Sequence, residues 1–246
     1  MNTEKELIIS IGSGENKKII SSSTTAVKIE GKSLLGSSGG IDLVFVIDTT
    51  GSMSDKIEGL LATCERFVEE FVKLELNHRI AIISFGDLRV PGDRIEKTGF
   101  TNNINVTKKS LRNIPRYSGG GNQGESPLEA LEKAIRMSYR SNAVKVIVLI
   151  TDEPAYQGNI RARDMTKRLS VEEFLVFVVT PPIAYYKEMA IKNGGKWYKV
   201  AANTDFTDLL EMFKSIAEKV SYIVSDVYNL GDGSVSKYLQ LKPPEG

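Results

Sequence analysis

The segment VFVIDTTGSMSD, residues 44–55, ends an apolar run on an acid and then sets out hydroxyls at alternate positions: Asp48, Thr50 and Ser52. One carboxylate and two neutral hydroxyls from a single turn are the donors that an oxygen cage for a hard cation would use. Mg²⁺ takes about six oxygens at ~2.0–2.1 Å and keeps several waters, using only one or two protein carboxylates. Two further acids stand where the chain leaves other elements. Glu125 lies in the glycine-rich stretch GGGNQGES, and Asp152 ends the apolar run VKVIVLITD. Oxygen donors without imidazole or thiolate favour Mg²⁺, or else Mn²⁺ or Ca²⁺, over zinc and copper. Each residue also has a purely structural use. Ser52-Met53-Ser54-Asp55 fits the S-x-x-D capping box, Asp152-Glu153-Pro154 fits a turn, and Glu125 suits a helix N-terminus.

Other chemistries lack their parts. His78 is the sole histidine and Cys64 the sole cysteine, so histidine-based triads and multi-histidine zinc sites cannot be assembled. Cys64 falls in the series Ile57, Leu60, Leu61, Cys64, Phe67, Val68, Phe71, the recurrence of a buried helical face, and reads as core. A lone cysteine forms no internal disulfide, which fits a reducing, cytoplasmic setting. Lysine plus arginine number 32 against 31 acids, a formal charge of +1, so no long-range field recruits nucleic acid or an anionic membrane. The first residues, MNTEKELIISIGSG, have the wrong flanks for a secretion signal, and no segment approaches the ~20 apolar residues of a membrane span.

The elements that must carry these residues follow from periodicity. Apolar strands are expected at IDLVFVID, RIAIISF, VKVIVLITD, FLVFVVT and KWYKV, with a further strand within 94–100. Helices are expected from Ser54 to Leu76, across NINVTKKSLRNI, PLEALEKAIRMSYR and 161–172, over YYKEMAIKNG, and from Asp205 onward. Strands alternating with helices imply a doubly wound α/β domain whose mostly parallel sheet is covered on both faces. Parallel strands put all their carboxyl ends on one edge, where such folds bind ligands. Asp48 and Asp152 should therefore share that edge. In the strand order 3-2-1-4-5-6 they would be neighbours across the switch point, although nothing in the sequence dictates that order. Residues 1–40 read as a β extension with a Gly/Ser linker, 41–225 as the domain, and 226–246 as a tail holding one strand and a proline stop. Gly119–Gly124 satisfies G-x-G-x-x-G, but the strand that a dinucleotide site requires before it is missing; the glycines instead suit close passage of backbone beside the oxygen edge.

Asp48-Thr49-Thr50-Gly51-Ser52-Met53 resembles the D-x-T/S-x-S opening motif of the von Willebrand factor type A family, whose members carry a metal-ion-dependent adhesion site. The likeness covers roughly 41–224, and the TD at Asp152 resembles the family's third loop. In the second loop Glu125 stands where threonine is commoner, as in β-integrins and related intracellular variants; Asn122 and Ser126 are the alternatives. The resemblance implies a metal with one open coordination position that takes an Asp or Glu of a partner protein, hence an intracellular interaction module serving as subunit or adaptor of a larger complex, not an enzyme. Asp48, Thr50, Ser52 and Glu125 would surround the ion, and Asp152 would hold a metal-bound water. Glu153, Tyr156 and Tyr185 would contact the partner, tyrosine being a common interface anchor. Two rivals stand beside this. One is a haloacid-dehalogenase-like, Mg²⁺-dependent phosphotransferase, on the similar D-x-T-G-T turn. The other is a scaffold that has lost its metal.

Overall fold

The computed structural model describes residues 40–73, 77–120, 124–200 and 206–242. Residues 1–39, with the expected N-terminal β extension, and Asn122 of the second loop lie outside this set. Strand β1 spans Gly40–Asp48 and is followed, after a 3₁₀ turn at Gly51–Met53, by α1, Ser54–Lys73. Then come β2 (His78–Phe85), β3 (Ile95–Lys97), α2 (Ile104–Arg112) and α3 (Pro127–Ile135). The second half runs β4 (Ala143–Ile150), α4 (Ala162–Val171), β5 (Phe174–Thr180), α5 (Ala184–Lys192), β6 (Trp197–Lys199), α6 (Phe206–Gly231) and α7 (Val235–Leu241).

All six strands join one sheet in the order β3-β2-β1-β4-β5-β6. Every pairing is parallel except β2 with the short edge strand β3. Each residue of β1 is buried, which is why its sequence is a continuous apolar run and not an alternation. Ile41, Leu43, Phe45 and Ile47 pack toward α1, α6 and α7, while Val44 and Val46 face α3, α4 and α5. Cys64 is wholly buried in the first of these layers, as its helical spacing requires. Between β1 and β4 the chain winds off in opposite directions, and the register sets Ile47 beside Ile150. The residues that follow, Thr49–Ser52 from β1 and Thr151–Asp152 from β4, leave the sheet side by side at its carboxyl edge.

The C-terminal segment departs from expectation. SVSKYLQL is a helix, α7, and not a strand. The stretch satisfies both periods on paper, but helical spacing lets Val235 and Tyr238 bury against the α6 layer, and Ser234 caps the helix by accepting the N–H of Lys237 at 3.2 Å. Helix α6 itself continues past residue 225 to Gly231.

Phe45 shows how tightly this core is built: fully buried, it meets Phe67 of α1 edge to face with ring centroids 5.2 Å apart. Phe45→Ala should cost about 3–5 kcal/mol, as large-to-small core changes do, whereas Val171→Ala, at a position 82% exposed, should stay within about 0.5 kcal/mol. Equilibrium urea unfolding of the two variants checks both figures.

Candidate metal centre

Strand β1 carries an acid near each end, and the two are treated oppositely. Asp42, at the amino end, is wholly buried. It accepts hydrogen bonds from Arg79 Nε at 2.9 Å and from the N–H and Nε of Arg140 at 2.7 and 2.9 Å. Burial alone would raise its pKa, but the two guanidiniums hold it below the ordinary carboxylate value. Asp48, at the carboxyl end, is equally buried, and its hydrogen bonds come from hydroxyls and one amide. Oδ1 accepts the Thr50 N–H at 3.0 Å and the Thr50 hydroxyl at 2.7 Å, and Oδ2 accepts the Thr151 hydroxyl at 2.6 Å. These bonds only partly offset burial, and its pKa is pushed up to about 6.

From Asp48 a chain of oxygens crosses the sheet edge. The Thr50 and Ser52 hydroxyls lie 3.2 Å apart, and Ser52 donates to Asp152 Oδ1 at 2.9 Å. That last bond spans two loops, which a residue serving only to cap its own helix would not do. Ser52 lies inside the 3₁₀ turn, ahead of the first residue of α1.

Glu125 arrives from the second loop. Its N–H donates to Pro154 O at 2.9 Å and its carbonyl accepts from Tyr156 N at 2.8 Å, stitching that loop to the one after β4. Gly119 sets its approach: a Cβ there would lie 2.9 Å from both Glu125 Oε1 and Thr50 Cβ. With φ of +72° as well, the position demands glycine. Glu125 is 4% exposed, and its Oε2 is buried with no hydrogen-bond partner among the described residues. Burial first, then the charges of Asp48, Asp87 and Glu153, push its pKa up to about 8. Among the described residues no lysine or arginine forms an ion pair with Asp48 or Glu125. Nor does any group of three or more His, Cys, Asp or Glu side chains converge as a metal cluster there. The edge instead mixes carboxylates with neutral hydroxyls.

Three supports escaped the sequence reading. Thr151 braces Asp48 from β4, and the β1–β4 register that places it is a tertiary fact. Asp93 clamps the second loop, accepting the N–H groups of Ser118 at 3.0 Å and Gly119 at 2.9 Å. Arg89 holds both oxygens of buried Asp87, at 2.8 and 2.7 Å, donates to Gly124 O, and lies over the Tyr156 ring at 4.1 Å. Asp87 and Asp93 lie in the polar segment between β2 and β3, where no periodicity marks them. Of the residues expected at the rim, Glu153 and Tyr156 are half-buried. Tyr185 accepts the Ala155 N–H at 2.7 Å. Its neighbour Tyr186 is wholly buried and donates to the Glu153 carbonyl at 3.1 Å. Ser126, just ahead of α3, is buried, and its Oγ accepts from Leu88 N at 3.0 Å.

Residues 42–232 match the sequence profile of the von Willebrand factor type A domain. The chain belongs to this family. Its VWA fold recurs in solved structures of low identity. The pilus adhesin SpaC of Lactobacillus rhamnosus GG, in its open conformation, aligns with a TM-score of 0.57 and 13% identity over 74% of this chain and 30% of that one. Proximal thread matrix protein 1 from the mussel byssus aligns at 0.55 and 17% identity, over 75% of this chain and 46% of that one. Its form with a zinc-occupied MIDAS motif gives 0.54 and 18% over the same shares. A curated relative, the alpha-protein kinase vwkA of Dictyostelium discoideum, is 26% identical over 147 residues, 58% of this chain. The VWA chain spans only 23% of that kinase.

The two raised carboxylates have a thermodynamic consequence in metal-free protein. A folded pKa above the unfolded one means the native state holds its proton longer, so stability is greatest below the unfolded value of about 4 and is lost as pH climbs toward the folded value. In the presence of chelator, the melting temperature should fall between about pH 5 and 8, and Glu125→Gln should flatten most of that decline; differential scanning calorimetry across the range measures it.

Proposed function

We propose that this VWA domain is a cation-dependent protein-interaction module in which Asp48, Thr50, Ser52, Glu125 and Asp152 hold a divalent ion, Mg²⁺ first, that captures an acidic side chain of a partner. The observation that carries the reading is the buried Glu125 Oε2, without a hydrogen-bond partner among the described residues and near enough to the buried Asp48 to feel its charge. An anion left unpaired in a low-dielectric site is costly unless a counter-charge arrives. The donor set suits a hard ion: hydroxyl and carboxylate oxygens, with no imidazole or thiolate among them. Three acids with two hydroxyls give a set able to hold Mg²⁺, Mn²⁺ or Ca²⁺, and a bound ion would supply the positive charge that attracts a carboxylate from outside.

This chain's own residues do the rest. Asp48 anchors the first loop through Thr50 and Thr151. Ser52 and Asp152 tie the first and third loops together, with Asp152 placed to orient water on the ion. Glu125 is delivered by the glycine turn at 119 and braced by the bridge to Ala155. Glu153, Tyr156 and Tyr185 border the edge and would supply the partner contacts; Tyr156, its ring already fixed under Arg89, costs little entropy on binding. A protein named for a zinc-occupied MIDAS among the structural relatives supports divalent-ion use at such an edge. The lone cysteine supports a reducing, cytoplasmic setting, in which the module would serve as subunit or adaptor of a larger complex.

The phosphotransferase alternative fares worse on geometry. Both Asp48 oxygens accept hydrogen bonds and the side chain is buried, which leaves it no free oxygen to attack a phosphoryl group. A metal-free scaffold offers no reason for the buried acids.

Thermal-shift titration of the full chain with MgCl₂ or MnCl₂ tests the ion, and capture of partners from cell extract with and without chelator tests the interaction. A saturable rise in melting temperature is expected, weakened at least about tenfold in Asp48→Asn, because an ion that binds only the folded state stabilises it. Affinity should increase between about pH 6 and 8.5, since bound protons must leave Asp48 and Glu125 before the ion enters. Partners should elute with chelator and fail to bind Asp48→Asn. No shift at millimolar ion, or capture indifferent to chelator, would contradict the proposal.

A further inference from the structure

A second cleft lies away from the oxygen edge. It has a volume of about 750 Å³ and runs between α5 with β6 on one side and α6 on the other, with α7 contributing a further wall. Three observations describe what it would accept.

The first is an open strand edge. Strand β6 ends the sheet, paired only with β5 among the described residues. Toward β5 it presents the Lys196 carbonyl, which accepts from Val178 N at 3.0 Å, and the Val200 N–H, which donates to Thr180 O at 3.0 Å. In a parallel ladder alternate residues face alternate neighbours. The main-chain donors and acceptors of Trp197 and Lys199 therefore point away from β5, along an edge that no other described strand pairs with.

The second is charge. Lys187, Lys196, Lys219 and Lys242 line the cleft against one acid, Asp226. Asp226 is already paired with Lys242 at 2.7 Å. Among the described residues none of the other three lysines is in an ion pair. The chain as a whole carries a formal charge of only +1, so this excess is local.

The third is an aromatic lining. The Trp197 ring sits under Lys187 Nζ at 4.5 Å, and Tyr222 is 64% exposed on the α6 wall. Exposed aromatic surface with flanking cations suits side chains that are apolar in part and negatively charged in part.

We propose that this cleft is a second docking site, for an extended, acid-bearing segment of a partner protein that adds as a strand beside β6. Main-chain pairing with Trp197 and Lys199 supplies affinity, and the lysines select acids over neutral or basic sequences. Nucleic acid would satisfy the charge but offers no N–H and C=O ladder to the strand edge. The site is independent of the metal, so its fate and that of the metal reading separate.

A display library of decapeptides, selected on the full chain in chelator and counter-selected on Lys187→Glu/Lys219→Glu, tests it. Lys219 is exposed and Lys187 half-buried, and thermal melts check that the variant is folded. Recovered peptides should be acid-rich with apolar residues at alternate positions. Their fluorescein-labelled forms should bind the variant at least about tenfold more weakly, leave Asp48→Asn binding unchanged, and shift the emission of Trp197, the sole tryptophan. Failure to enrich any peptide over the variant, recovery of sequences without an acid excess, or displacement of the peptide by oligo-dT at equal concentration would each overturn the assignment.

Discussion

The constraint that shapes the carboxyl edge of the sheet is the burial of two acids, Asp48 and Glu125, that no lysine or arginine pairs with among the described residues. Strand β1 buries one acid at each end, and each would be costly alone, since taking a carboxylate out of water costs several kcal/mol even after relaxation, on the order of what a domain's whole stability can absorb. At Asp42 two arginines meet the charge inside the fold. At Asp48 only hydroxyls and an amide do, and Glu125 is brought up beside it with one oxygen left bare. The contrast between the compensated Asp42 and the pair Asp48 and Glu125, which no lysine or arginine meets among the described residues, is what the proposed cation would resolve.

Everything around that edge keeps the oxygens in place rather than neutralising them. Asp93 holds the backbone of the second loop, the 125–155 bridge joins the second loop to the third, and Arg89 spans from Asp87 to Gly124 and Tyr156. Arg89 is the nearest thing to a local cation, yet its guanidinium is spent on Asp87. Such bracing would suit the proposed ion, since a hard cation demands its oxygens at fixed distances and a site assembled in advance does not lose affinity to loop ordering.

Much of this was legible in the sequence because it rests on local pattern. Long apolar runs broken by amphipathic helices announce a parallel, doubly covered sheet, and parallel strands put Asp48 and Asp152 on the same edge whatever their order. What needed the structure was register and loop course. Thr151 braces Asp48 only because Ile47 and Ile150 are level in adjacent strands, and Arg89 and Asp93 act through loops whose paths no periodicity encodes. The tail went the other way: Val235–Leu241 satisfies both a strand and a helix pattern, and burial of Tyr238 against α6 decided for the helix. Glu125 was visible as an acid after glycines, but its bare oxygen is a property of packing.

Anomalous scattering from crystals of the full chain equilibrated with Mn²⁺ examines the charge imbalance at its source. A single strong peak among the oxygens of Thr50, Ser52 and Glu125, with Asp48 and Asp152 joined to it directly or through water, is the predicted result. Saturating Mn²⁺ that leaves no peak there, with Ser52 still donating to Asp152 and the Glu125 oxygen still bare, would contradict the account.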